Sequence, residues 1–228
     1  MTETLSLRAK IEQSPMGAYQ WMIVVMAAIM NLLDGFDVLA LAFTATAIRG
    51  EFGLTGIELG YLLSAGLFGM TAGSLFLAPL ADKIGRRPLL LMAVSLSAIG
   101  MLGSAFISQY QWLGFWRVIT GLGVGGILVG TNVITSEYSS RKWRSFAISV
   151  YAAGFGIGAV LGGMFAVMLQ GEYGWRSVFL AGAILTDLLL VILFIWLPES
   201  IDFLTSKQPK NAEVRLNLIA KKISLAGD

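Results

Sequence analysis

The sequence predicts an all-α membrane protein built from six spanning helices. Three observations carry that expectation: the composition, six long apolar runs, and the placing of the basic residues. Of 228 residues, 56% are hydrophobic and only 13% are charged, whereas a soluble domain carries about a quarter charged residues. The mean hydropathy of +0.76 places the chain in the membrane class before any motif is read. There is no cysteine and no histidine. Disulfide frameworks and thiolate metal sites are thereby excluded, and a proton carried at physiological pH would ride on carboxylates instead of imidazole.

A hydrocarbon core about 30 Å thick is crossed by about 20 apolar residues in a helix. Six stretches meet that requirement, at 20–43, 57–81, 88–107, 113–136, 146–170 and 178–197. Each is expected to be helical, because a lone strand in lipid leaves its backbone groups unpaired. The first run follows a polar tail, 1–19. It is too long for a signal-peptide core and has no small-x-small cleavage site after it, so it is expected to be retained. The second span holds Gly69 and Gly73, the fourth Gly121, Gly125, Gly126 and Gly130, and the fifth Gly154, Gly158 and Gly162. Four-residue glycine spacing lets helix backbones approach closely. The expected organisation is a cytoplasmic tail over 1–19, a six-span unit over 20–198, and a second cytoplasmic tail, or the start of a linker, over 199–228.

Orientation follows from lysine and arginine. Thirteen lie in the N-terminal tail (Arg8, Lys10), the second-to-third loop (Lys83, Arg86, Arg87), the fourth-to-fifth loop (Arg141, Lys142, Arg144) and the C-terminal tail. Only Arg49, Arg176 and Arg117 fall elsewhere. Both termini are therefore expected on the cytoplasmic side. The basic balance is a signature of topology and not of nucleic-acid binding.

Four ionisable residues lie well inside the spans: Asp34 and Asp37 in the first, Arg117 in the fourth, Asp187 in the sixth. A central Asp or Arg costs about 2.5–3.5 kcal/mol on insertion scales, so a partner or a wet cavity is expected in the folded state. At 1.5 Å per residue, Asp34 and Asp37 lie about 20 and 24 Å from the cytoplasmic interface marked by Trp21, and Arg117 lies about 22 Å from it. Asn31, Asp34 and Asp37 share a broad helix face. The expectation is a carboxylate pair facing an arginine, titrating as a coupled unit, with Arg117 permanently charged and free to bind a substrate carboxylate. The other reading of Arg117 is a static buried ion pair, and Asp187 has no matched partner in the sequence.

Displacing the chain by 90 residues aligns Gly66 with Gly156, Gly73 with Gly163, Asp82 with Glu172 and Arg86 with Arg176. Two three-span units of opposite orientation would follow, the building principle of many transporters.

The loop ADKIGRRPLLL at 81–91 resembles the cytoplasmic signature of the major facilitator superfamily. RVITGLGVGG at 117–126 resembles its fourth-span motif, and the glycine run at 154–163 its fifth-span motif. GWRSVF at 174–179 and LPES at 197–200 sit where relatives carry similar strings. The first-span DGFD at 34–37 is similar to the aromatic acid:proton symporter branch. One departure is Ala78, followed by Pro79, where the signature usually begins with glycine.

The resemblance implies the N-terminal six-helix half of a major-facilitator fold, with two inverted three-helix repeats. It implies no enzyme chemistry, and no cofactor or metal beyond a proton as coupling ion. The implied activity is import of a small aromatic carboxylate across a bacterial inner membrane by alternating access. Asp34 and Asp37 would carry the proton, with Arg117 and Asn31 at the substrate. Asp82, Gly85, Arg86 and Arg87 would gate the cytoplasmic side, where Glu137, Arg141 and Arg144 would form a comparable cluster. The partners implied are the lipid bilayer and a second six-helix half, missing from this chain or supplied by another copy. The alternatives are a symporter for another organic acid or a sugar, or a transport-inactive half acting as a membrane scaffold.

Overall fold

The computed structural model describes residues 11–12 and 15–224; Arg8 and Lys10 lie outside the described residues. Six long apolar helices follow one another: α1 Ala18–Phe52, α2 Gly56–Ile84, α3 Arg86–Ala105, α4 Tyr110–Tyr138, α5 Arg144–Tyr173 and α6 Trp175–Trp196. Two short helices, α7 Ile201–Lys207 and α8 Ala212–Ser224, close the chain. No strand occurs among the described residues, as lipid requires of a chain without a closed barrel.

The helices run past the apolar stretches at their ends. α1 continues nine residues beyond Phe43, through the less apolar TATAIRGEF, and stops where Gly53 takes φ 63°. The joint between α2 and α3 is the single residue Gly85, at φ 100° and ψ 161°, and α5 meets α6 at Gly174, at φ 78° and ψ 169°. Side-chain-bearing residues avoid that region, so both hairpins depend on glycine.

The two most extensive helix pairs are α2 against α4 and α1 against α5, and α3 packs on α4 and α6. In the first, a Cβ on Gly69 or Gly73 would overlap the Val118 or Leu122 carbonyl, and one on Gly121 or Gly125 would overlap the Gly66 or Met70 carbonyl. In the second, Gly154 and Gly158 face the Ala28 and Leu32 carbonyls, and Gly35 faces that of Phe155. The two pairs are built alike, the second and fifth helices each pressing small residues on a helix of the other three-helix unit. The 90-residue register needs correction in detail. Gly73 packs on the α4 backbone, whereas Gly163 meets the Phe43 ring, and Arg176 pairs with Glu51, not with Glu172.

Apolar side chains form two cores. One, toward the α7–α8 end, gathers Ile23, Met30, Leu90, Ile134 and Leu193 with Leu204, Leu216 and Ile219. The other, toward the opposite end, gathers Phe36, Ile48, Met101, Leu113 and Phe179. The buried charges lie between them.

Candidate functional site

α1 carries Asn31, Asp34 and Asp37 into the interior at 3%, 2% and 1% exposure, and α4 brings Arg117 there at 3%. These residues do not all meet. Asn31 Nδ2 donates to the Tyr151 carbonyl on α5 at 2.9 Å. Asp37 Oδ2 accepts from Ser97 Oγ on α3 at 2.7 Å. Arg117 donates from one terminal nitrogen to the main-chain carbonyl of Asp37 at 3.0 Å and from the other to Met101 Sδ at 3.1 Å. Its guanidinium carbon stands 5.2 Å from the centre of the Phe179 ring, within range of a cation–π contact.

Two expectations are corrected here. Arg117 docks on the backbone of Asp37 and makes no ion pair with either carboxylate, and neither Asp34 nor Asn31 reaches it among the described residues. The reason is angular. Three residues turn a helix through about 300°, so successive members of the set point about 60° apart. Asn31 consequently looks to α5, while Asp37 looks to α3 and α4.

Four buried atoms of this layer have no hydrogen-bond partner among the described residues: Asn31 Oδ1, Asp34 Oδ2, Asp37 Oδ1 and Arg117 Nε. Buried polar groups are nearly always paired, so this layer has unused hydrogen-bonding capacity for water or another polar group. A cleft of about 140 Å³ opens beside it between α1, α2 and α4, lined by Asp37, Leu62, Gly66, Arg117, Thr120 and Val124. Apolar walls with few convergent polar groups are the usual make-up of a small-molecule site. Asp187 stands apart, on the exposed face of α6.

At the other end of α2, Asp82 and Arg86 form an ion pair at 2.7 Å. Arg87 donates its backbone amide to Glu199 Oε1 at 3.0 Å and its guanidinium to the Phe194 carbonyl at 2.5 Å. The Glu199 carboxylate lies so close to Gly85 that a Cβ there would sit 2.6 Å from Oε2. The Glu199 carbonyl in turn accepts from the Tyr138 hydroxyl at 2.7 Å. The expected cluster of Glu137 with Arg141 and Arg144 does not form. Glu137 instead accepts from Ser200 Oγ at 2.9 Å and from the Ile201 amide at 2.8 Å. Those are unpaired donors at the start of α7, and they draw the carboxylate more strongly than exposed arginines do. Arg144 pairs with Glu12 at 3.3 Å, and the Arg141 amide bonds the Glu12 carbonyl at 3.2 Å.

Sequence reasoning assigned no role to Ser97, Met101, Phe179 or Glu199. Glu199 lies in the LPES string and could have been singled out there. Phe179 closes the GWRSVF string and could have been noted there as well, whereas Ser97 and Met101 are ordinary residues for a buried helix face and carry no sequence signal.

Comparison with known proteins bears on what this arrangement serves. Residues 27–223 match the profile of the Major Facilitator Superfamily. The gallate transporter of Pseudomonas putida is 36% identical over 204 residues, which is 90% of this chain and 45% of the relative. The 4-hydroxybenzoate transporter PcaK of the same organism is 34% identical over 216 residues, 95% of this chain and 48% of the relative. The chain thus spans about half the length of the curated relatives it matches. Among solved structures, the partially occluded inward-open xylose transporter XylE of E. coli superposes with a TM-score of 0.79 at 22% identity, over 92% of this chain and 57% of that one. That likeness speaks to the fold alone.

Proposed function

The chain belongs to the major facilitator superfamily, and on that premise we propose that it forms the N-terminal six-helix half of a proton-coupled importer of small aromatic carboxylates. The observation that carries the reading is the pairing of a mostly apolar cleft with a buried, incompletely bonded Arg117 and Asp37. An aromatic ring fits the apolar wall. A carboxylate fits the Arg117 Nε–H, which is charged, buried and without a hydrogen-bond partner among the described residues, and charge-assisted bonds of that kind are the strong ones. The names of the gallate and 4-hydroxybenzoate relatives point to the same ligand class.

Coupling follows from charge conservation in the low-dielectric layer. With Asp37 ionised, the site is close to neutral and a second anion is repelled. A proton on Asp37 Oδ1, which has no hydrogen-bond partner among the described residues, leaves Arg117 with an uncompensated positive charge, and the substrate carboxylate supplies the balance. Asp34 lies one turn nearer the α7–α8 end with Oδ2 unbonded, and serves as the second station for the proton. Asp82, Gly85, Arg86 and Arg87 control access from the cytoplasm, with Glu199 bracing them. The host membrane is a bacterial inner membrane, both termini are cytoplasmic, and a second six-helix half completes the cavity.

The test is uptake of radiolabelled 4-hydroxybenzoate into proteoliposomes containing this chain with its second half, under an imposed pH gradient. The reading expects accumulation that an ionophore abolishes and that Arg117→Ala removes. Accumulation indifferent to Arg117→Ala would sink it.

A further inference from the structure

We propose that Gly66 sets the size of the ring that the cleft admits; this inference rests on the carboxylate-transport reading of the same cleft. Its basis is a contrast among the glycines of α2 and α4. Gly69, Gly73, Gly121 and Gly125 are required by packing, since a Cβ on any of them would overlap backbone atoms of the facing helix. Such contacts cannot be relieved by a side-chain rotation. Gly66 is different. A Cβ there would meet a single atom among the described residues, the Arg117 carbonyl oxygen, at 3.9 Å, an ordinary van der Waals distance. Nor does the backbone demand glycine, because Gly66 sits inside α2 with no positive φ.

Glycine in a helix interior is a poorer choice than alanine, so its presence without a packing or conformational need calls for another reason. The cleft gives one. Gly66 lines it together with Asp37 and Arg117, and its missing side chain adds to the space in which a ring attached to an Arg117-bound carboxylate would lie. The other helical glycines with no neighbour among the described residues, Gly50, Gly56, Gly60, Gly156 and Gly171, are on exposed surface and do not line this cleft. Among the described residues, only at Gly66 does dispensability for packing coincide with the wall of the cleft that holds the buried, partly unbonded arginine. Position 66 is therefore a specificity determinant, and a methyl group there shortens the slot from the α2 side.

The full chain with its second half is suited to a direct test, because its six-helix part is free of cysteine. Gly66→Cys is expected to react rapidly with a small methanethiosulfonate reagent, and Gly69→Cys to resist it. In equilibrium binding, Gly66→Ala is expected to keep benzoate affinity within about twofold while weakening 2-naphthoate about tenfold or more, the scale on which a hydrophobic pocket rejects one excess group. Gly66→Val should exclude both. Thermal stability should be preserved in Gly66→Ala and lowered in Gly69→Ala. A Gly66→Cys as unreactive as Gly69→Cys overturns the inference, as does a Gly66→Ala chain with unaltered preference between benzoate and 2-naphthoate. A wild-type protein that binds neither acid refutes the substrate class and this inference together, whereas unaltered ring preference refutes this inference alone.

Discussion

The pressing of α5 on α1 makes a signed prediction at two glycines two residues apart. In Gly158→Ala, the new Cβ would overlap the Leu32 carbonyl oxygen and lie 2.6 Å from its carbon and 2.9 Å from Cα. All three atoms are backbone, so the helices must separate. Overpacking of that kind costs about 1–3 kcal/mol, against a helix-propensity gain of about 0.5–1 kcal/mol for replacing glycine. The net is a loss of about 1 kcal/mol at mid-range, and of up to about 2.5 kcal/mol. In Gly156→Ala nothing lies within 4 Å of the new Cβ among the described residues, so only the gain of about 0.5–1 kcal/mol remains. For a domain of this size each kcal/mol moves the melting temperature by about 2–4 °C. Thermal melts of the two variants in dodecylmaltoside, followed by circular dichroism at 222 nm, should therefore shift in opposite directions. Equal shifts, or a stabilised Gly158→Ala, would refute the close-contact account of the bundle.

Three further outcomes follow from the same geometry. Ser97→Ala removes the 2.7 Å bond to Asp37 Oδ2, and a bond to a charged group is worth about 1.5–3 kcal/mol. Half-maximal uptake should move measurably along the pH axis while protein yield is kept, and an unmoved pH profile would count against Asp37 as a coupling group. Glu199→Ala strips the acceptor from the Arg87 and Ser200 amides, costing about 1–3 kcal/mol where such groups stay buried. Trypsin should then cut after Arg86 faster than in the wild type, the Arg87–Pro88 bond being resistant to it, and an unchanged cleavage rate would argue against the brace. Glu51→Gln breaks the two-pronged contact with Arg176, at 2.8 and 2.7 Å, and weakens the bond from Trp175 Nε1 at 2.7 Å. The pair is half exposed, so a loss of about 0.5–1 kcal/mol in thermal or denaturant unfolding is expected; a larger effect would mean that it also holds the ends of α1 and α6 in place.

Much of this was legible in the sequence, and what was not has physical causes. Hydropathy located all six spans because a lipid core imposes length and apolarity on each one separately. It shortened α1 because the stretch after Phe43 has fewer apolar residues, although it holds no proline and only one glycine, Gly50, before the left-handed Gly53 ends the helix. Depth counting along two antiparallel helices brought Arg117 to the level of Asp37. It could not show that the arginine would choose the Asp37 carbonyl, a matter of rotamer and helix rotation. Glu137 was grouped with Arg141 and Arg144 because they are near in sequence and opposite in charge. The fold gives it the bare amides of α7 instead, a helix whose position depends on how the chain returns after α6. Ser97, Met101 and Phe179 acquire meaning only once α3 and α6 are laid beside α1 and α4.

The central claim, that one carboxylate enters with a proton held on the first-helix aspartates, is tested most directly by measuring both fluxes together. Proteoliposomes with a pH-sensitive dye inside would receive external 4-hydroxybenzoate without an imposed gradient. The account predicts internal acidification that tracks carboxylate entry in the wild type, and no acidification in the variant carrying Asp34→Asn and Asp37→Asn. Carboxylate entry with no proton movement in the wild type, or proton movement that survives both substitutions, would contradict it.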